Sequence, residues 1–362
     1  MLTMTDEERL TAIVYGDTFA LYNEREFDEF VAPLYARLRA NKIDTSVFRG
    51  KRCLDAGCGG GRGSILMAQC GAAEVVGVDL SATNVETSRT RAAEKGFTNV
   101  SFRQASLLDL PFDDEGFDVV WCNGVLHHTS DPDRTLTEIT RVLKSNGHLW
   151  LYLYGSGGTY WYVVDWIRAT LAGVDVHNCI CQLRLMGTPV RRIAEWIDDW
   201  FAAFLRRYTL DDVSARLAEL GYDDTTPLAR GVDYDTSERR NNATPREREH
   251  MGQGDVRHFA RKVRAPSGHS RRLPDPPDGK GSPYSDASAV TQFSEALAAI
   301  SEELASIEAR AGHEISTMKI IVCASVHAKV RGLLESNAAF DEQSFADHLA
   351  GVAALLRHFG QR

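Results

Sequence analysis

LDAGCGGGRGS, residues Leu54 to Ser64, places five glycines and a cysteine between a short apolar run and a helix-like segment. A glycine-rich turn at such a junction offers bare backbone and a helix N-terminus to a ligand. Its ending separates the ligand classes. A triphosphate loop closes on G-K-[ST], and Arg62-Gly63-Ser64 stands there instead. Gly57, Gly59 and Gly61 are spaced G-x-G-x-G rather than G-x-G-x-x-G, so the dinucleotide fingerprint is not met either.

Outward from this turn, short apolar runs alternate with helical stretches: RCLDAG, EVVGVDL, VSFRQAS, FDVVWCN and HLWLYLY, with helices expected over 64–70, 82–95 and 132–143. This alternation predicts an α/β fold with a Rossmann-like, doubly wound, mostly parallel sheet. Asp79 closes EVVGVD, where a second strand would deliver a carboxylate to the same crevice and a ribose could donate to it. Asp109, in SLLDLPF, would reach an adenine amino group. Three acids, Asp55, Asp79 and Asp109, would repel a pyrophosphate and suit a ligand with an amine, a ribose and an adenine.

The flanks read differently. Residues 1–48 are expected to form helices covering the cofactor site, and 49–155 the core. After Tyr154 the pattern breaks at GSGG; helices over 161–171 and 190–208 carry four of the six tryptophans, as a lid spanning 156–208. Residues 209–264 return to the core, through a helix capped by Thr209 and late strands near Thr225–Ala229 and Val256–Lys262. The Pro, Gly and Ser content of 265–288 reads as a linker or long loop, and 289–362 as a helical unit packed on the core or forming a homodimer.

No apolar run approaches the roughly 20 residues that span a bilayer, so the expected compartment is the cytoplasm, without membrane attachment. The seven cysteines are an odd set without framework spacing and are read as reduced. His177, Cys179 and Cys181 form H-x-C-x-C with no evident fourth ligand, and are read as packing residues, not metal ligands. The net charge of -9 disfavours nucleic acid, although Arg239 to Lys280 carries eleven basic against five acidic residues. That segment reads as a solvated loop, with an anion-binding patch as the alternative.

Together, LDAGCGGGRGS, VVGVDLS and the run from ASLLDLPF through NGVLHHTSDP to HLWLYLYG resemble the class I S-adenosylmethionine-dependent methyltransferases, in the small-molecule branch that includes the ubiquinone and menaquinone C-methyltransferases. The resemblance covers about Lys51 to Gly155 and implies S-adenosylmethionine as cofactor and a small-molecule acceptor. It implies that Asp55, Gly57, Cys58, Gly59 and Gly61 hold the methionine moiety, Asp79 the ribose, and Leu80, Leu108 and Asp109 the adenine. Asn123 and Gly124 would face the methionine amine. His127 and His128 are candidate bases, His128 also a cofactor contact, and Tyr22 and Trp161 candidate aromatic faces for the departing charge. NGVL, where amino-methylating enzymes of DNA and glutamine carry N-P-P-[YF], argues against that class. Other uses of the sulfonium, RNA methylation and a non-catalytic cofactor-binding scaffold remain as alternatives.

Overall fold

The computed structural model describes residues 4–232, 235, 242–266, 272–274, 287–312, 315–336 and 338–360. The described chain divides into two compact units: Met1–Gly155 with Ala202–Val232 and Asp255–Pro276, and Ser156–Phe201 with Asp233–Gly254 and Pro277–Arg362.

The first unit opens with two helices, α1 (Asp6–Ala20) and α2 (Glu24–Ala40), each begun by a reciprocal capping box, Thr5 with Glu8 and Asn23 with Glu26. The alternation then follows: β1 (Arg52–Ala56), α3 (Arg62–Gln69), β2 (Glu74–Asp79), α4 (Ala82–Glu94), β3 (Val100–Gln104), β4 (Phe117–Asn123), α5 (Pro132–Val142) and β5 (Leu143–Tyr154). The sheet runs β3-β2-β1-β4-β5, all parallel, and is extended by two antiparallel strands, β7 (Asp255–Lys262) and β6 (Tyr222–Asp223). Between β1 and β4 the strand order reverses, and the crevice of an open α/β sheet forms at that switch point.

Side chains alternate across the sheet, so each strand feeds two cores. Leu54, Val76, Val120 and Leu151 pack against α5 and against α9 (Leu210–Glu219). Cys53, Val75, Val119, Trp121 and Trp150 pack against α2 and α3, with Trp121 and Trp150 stacked at 4.5 Å. Such an aromatic pair adds about 0.5–1.5 kcal/mol beyond its buried area. Asp118, at the start of β4, ties down backbone: it accepts from the Arg52 N–H (3.0 Å) and from Lys144 (2.9 Å).

The second unit is helical: α6 (Gly158–Thr170), α7 (Val176–Leu185), α8 (Val190–Phe201), α10 (Pro245–Met251), α11 (Ala287–Ala311), α12 (Ser316–Glu335) and α13 (Glu342–Gly360). Its core includes Phe293, Phe345, Ile320, Val326 and Leu349. α7 was not expected from the sequence, and it disperses the H-x-C-x-C group: residues two apart on a helix diverge, leaving Cys179 buried and Cys181 exposed.

Three sequence expectations are corrected. The helix expected over 190–208 ends at Phe201, and from Ala202 the chain belongs to the first unit, where the Tyr208 N–H donates to the Tyr154 carbonyl at 3.0 Å. Thr225–Ala229 forms no strand; Pro227 lacks a donor, and Tyr222–Asp223 pairs with β7 instead. The stretch 239–280 is not a solvated loop throughout, since α10 and β7 lie within it, and several of its basic residues have separate partners: Arg246 pairs with Glu342, Arg261 with Asp223, Arg272 with Asp131, and Lys262 donates to the Thr140 and Leu143 carbonyls. Arg239, Arg240, Arg271 and Lys280 lie outside the described residues.

Candidate active site

The glycine turn folds as it does because three of its residues sit where side chains rarely go: Gly57, Gly59 and Gly61 have φ of +79°, +51° and +88°. Its amides turn inward. Gly57 and Cys58 donate to the Val78 carbonyl (2.8 and 2.9 Å), Gly61 donates to the Cys58 carbonyl (2.8 Å), and Gly59 donates to Asp79 Oδ2 (2.8 Å). A phosphate cradle needs those N–H groups outward. The turn is therefore a shape that allows close approach, not an anion nest.

Asp79 is half-buried at the carboxyl end of β2. Its Oδ1 accepts from the Ser81 N–H (2.8 Å) and from Asn84 Nδ2 (3.2 Å). With the Gly59 bond, three of about four acceptor positions are filled, leaving capacity for a ligand hydroxyl. Burial raises its pKa, while the Ser81 and Gly59 amides and Asn84 oppose the rise. Asp55 is only 3% exposed and accepts from Ser64 Oγ at 2.7 Å; burial pushes its pKa up to about 6. The Cys58 thiol is buried and raised well above its ordinary value by desolvation, which makes it a packing group and no nucleophile.

Around the same crevice, Leu80 and Leu108 are half-buried and Asp109 is exposed. The Leu80 carbonyl accepts from Gln104 (3.0 Å) and the Leu108 carbonyl from Arg134 (2.8 Å), which fixes both turns. The Asn123 side-chain oxygen accepts from Trp150 Nε1 (2.9 Å), which fixes the side chain at the end of β4. Gly124 follows at φ +75°, its N–H on the Tyr152 carbonyl at 3.0 Å.

The two histidines sit in the short 3-10 turn Leu126–His128. His127 is fully buried between His128 (4.0 Å) and Tyr154 (4.1 Å), and neither of its ring nitrogens has a hydrogen-bond partner among the described residues. Desolvation, aided by His128, holds its pKa well below the ordinary value, so the ring is neutral. His128 Nδ1 lies 2.8 Å from the Phe204 carbonyl; a carbonyl only accepts, so Nδ1 carries the proton and Nε2 the lone pair. Tyr15 of α1 lies 5.3 Å from the His128 ring.

Tyr22 is buried against Phe30 (5.0 Å), and its carbonyl is held by Arg91, which also holds the Gly60 carbonyl of the glycine turn. Trp161 lies on α6 in the helical unit, edge-on to Tyr160. Sequence reasoning missed Phe204, whose carbonyl orients His128, and the pair Ser88 and Arg91, which grip the carbonyls of Gly59 (2.8 Å) and Gly60 (3.2 Å). Their i, i+3 spacing on the inner face of α4 was the available signal. Phe204 offered none, because a backbone carbonyl carries no residue identity.

These groups suit an amine, ribose and adenine ligand: carboxylates to accept, glycines for approach, an imidazole buried without a hydrogen-bond partner among the described residues, and a turn whose Gly57, Cys58, Gly59 and Gly61 amides are bound inward. Residues 48–155 match a family model described as a methyltransferase domain. This segment is a methyltransferase domain. The methyltransferase domain is similar to the uncharacterized methyltransferase YcgJ of Bacillus subtilis, at 38% identity over 100 residues, which is 28% of this chain and 39% of that protein. It is also similar to the 27-O-demethylrifamycin SV methyltransferase of Amycolatopsis mediterranei, at 38% over 101 residues, 28% of this chain and 37% of that one. A ubiquinone biosynthesis O-methyltransferase of Haemophilus ducreyi is 38% identical over 121 residues, 32% and 50% of the two chains. The chain thus spans half or less of the length of these curated relatives. Among the described residues, no helix is long and apolar enough to cross a membrane.

Proposed function

We propose that the whole chain transfers a methyl group to a small-molecule acceptor. The observation that carries this reading is the glycine turn with its amides bound inward beside two carboxylates, Asp55 and Asp79. Relatives named for a rifamycin intermediate and for ubiquinone biosynthesis support a small acceptor. S-adenosylmethionine, when bound, supplies an electrophilic methyl on a sulfonium that leaves as a neutral thioether.

In this reading Asp79 accepts from a ribose hydroxyl, Leu80, Leu108 and Asp109 flank the adenine, and the backbone of Gly57, Gly59, Gly61, Asn123 and Gly124 meets the methionine part. The chain's work is placement and exclusion of water, which can supply much of the acceleration. His128, with its tautomer set by the Phe204 carbonyl, can take a proton at Nε2 if the acceptor must lose one. His127, neutral and without a partner, donates to or accepts from a bound ligand.

Incubation with methyl-labelled cofactor and a metabolite mixture tests this. Label in an acceptor with S-adenosylhomocysteine formed supports it; methylthioadenosine would replace it with other sulfonium chemistry, and no turnover across broad mixtures with a scaffold.

A further inference from the structure

We propose that Arg91 is a positioning residue for the cofactor, a buried bolt that holds the α1–α2 turn down on the glycine turn. The proposal rests on the cofactor reading above. Arg91 is 9% exposed, and its guanidinium donates to three backbone carbonyls: Gly60 (3.2 Å) in the glycine turn, and Phe19 and Tyr22 (3.0 Å each) between α1 and α2. The ring of Phe27 lies 4.8 Å from its central carbon. No carboxylate salt-bridges it among the described residues. A buried cation without a counter-ion is costly, and three charge-assisted bonds from one rigid fork offset that cost only while all three carbonyls stay in place.

Gly60 supplies an independent argument. Unlike Gly57, Gly59 and Gly61, it has no positive φ, so its backbone does not call for glycine. A Cβ there would meet Arg91 Nη1 at 2.6 Å. Gly60 is thus explained by the guanidinium and not by the turn. Beside it, Phe19 fills the space a Cβ on Gly59 would need, at 2.8 Å, and Arg62 lies over Phe30 at 3.5 Å. At its other end, α1 is joined to the turn after β4, where Ser130 donates to Glu8 at 2.9 Å. Gly16 rests on Ser81 and Thr83, after β2. α1 therefore crosses the carboxyl edge of the sheet from the β4 side to the β2 side. A ligand on Asp79 and the glycine turn lies beneath it and exchanges only when α1 lifts, and Arg91 sets how often that happens.

The test compares wild type, Arg91→Lys, Arg91→Met, Gly60→Ala and the double variant Gly60→Ala/Arg91→Met, with S-adenosylhomocysteine as probe. Stopped-flow fluorescence gives its dissociation rate, and hydrogen exchange without ligand gives the opening of residues 6–20. Arg91→Met and Gly60→Ala are each expected to raise the dissociation rate about tenfold and to speed exchange in 6–20. Arg91→Lys is expected to rescue little, because an ammonium cannot reach three carbonyls as a planar fork does. The double variant should be no worse than the worse single one. A lowered melting midpoint with dissociation rate and α1 exchange unchanged would overturn the proposal, as would additive effects in the double variant. If wild type fails to bind the probe, the cofactor reading falls; the exchange arm still decides whether Arg91 holds α1.

Discussion

Asp55 and Asp199 are the same residue type with nearly the same exposure, 3% and 4%, one in each unit. Burial raises both, yet Asp55 stops at about 6 while Asp199 is pushed up to about 8. Their neighbours make the difference. Asp55 has the Ser64 hydroxyl and backbone amide and the Arg62 charge to favour its anion. Asp199 is raised first by burial and then by the charge of Asp198, with Glu195 adding to the rise and Tyr160 and Arg331 opposing it. At neutral pH the methyltransferase domain therefore holds an anion under its ligand turn, and the helical unit holds a neutral acid inside a closed network.

That network binds its ionisable side chains to one another. Trp200 Nε1 donates to His327 Nδ1 (2.7 Å), so His327 donates from Nε2 to the Tyr160 oxygen (3.0 Å), and Tyr160 donates to Asp199. Arg168 holds the Asp199 carbonyl, and Arg331 and Arg192 join Glu195 and Glu335 around it. By contrast, Asp79 keeps acceptor capacity at a crevice, and among the described residues neither ring nitrogen of His127 has a hydrogen-bond partner. Buried polar groups with open valences can take a ligand, and satisfied ones hold structure together.

The sharpest way to break this comparison is at Asp79. Asp79→Ala should lower affinity for S-adenosylhomocysteine about 100-fold in calorimetry, the order expected for losing hydrogen bonds to a charged acceptor. Its melting curve should keep its cooperativity; unaltered affinity would remove Asp79 from the site. Asp199→Ala should do the reverse, leaving cofactor affinity alone while costing about 2–4 kcal/mol of stability in urea unfolding. Weakened cofactor binding in that variant would contradict the division.

A smaller effect is expected with pH. Because folding raises the Asp55 pKa to about 6, the stability it confers is full below about 4 and is lost as pH rises through 6. Asp55→Asn should remove that slope, worth roughly 2–3 kcal/mol between the two limits, in denaturation curves collected from pH 4 to 7. An identical pH profile in wild type and variant would show that Asp55 is not held up. Least of all, Arg246→Ala removes an exposed pair with Glu342 and should leave the melting midpoint unchanged within error and binding of an RNA oligonucleotide no weaker. A clear loss of RNA binding would revive the basic segment as an anion patch.

Much of the methyltransferase domain was legible because its signals are local. Apolar runs of strand length, glycines at turns, Thr209 as a cap and Asp79 at a strand end each act within a few residues. The α8 boundary at Phe201 was not legible, since the aromatic pattern continues beyond it. What stops the helix is the distant pairing of Arg206 with the His127 carbonyl and Tyr208 with the Tyr154 carbonyl. The basic count over 239–280 left a loop and an anion patch both open for the same reason: charge reads locally, but its partners, Glu342, Asp223 and Asp131, are far along the chain.

By itself, then, the sequence determined the doubly wound order of elements and the place of the glycine turn after the first strand, because backbone conformation and hydrophobic periodicity are short-range properties. Only the tertiary structure decided which way the turn's amides point, which buried carboxyl is ionised, which histidine tautomer is present and why Gly60 is a glycine. Those depend on which groups meet after the chain has folded, and burial makes each such meeting strong enough to set a charge or a bond.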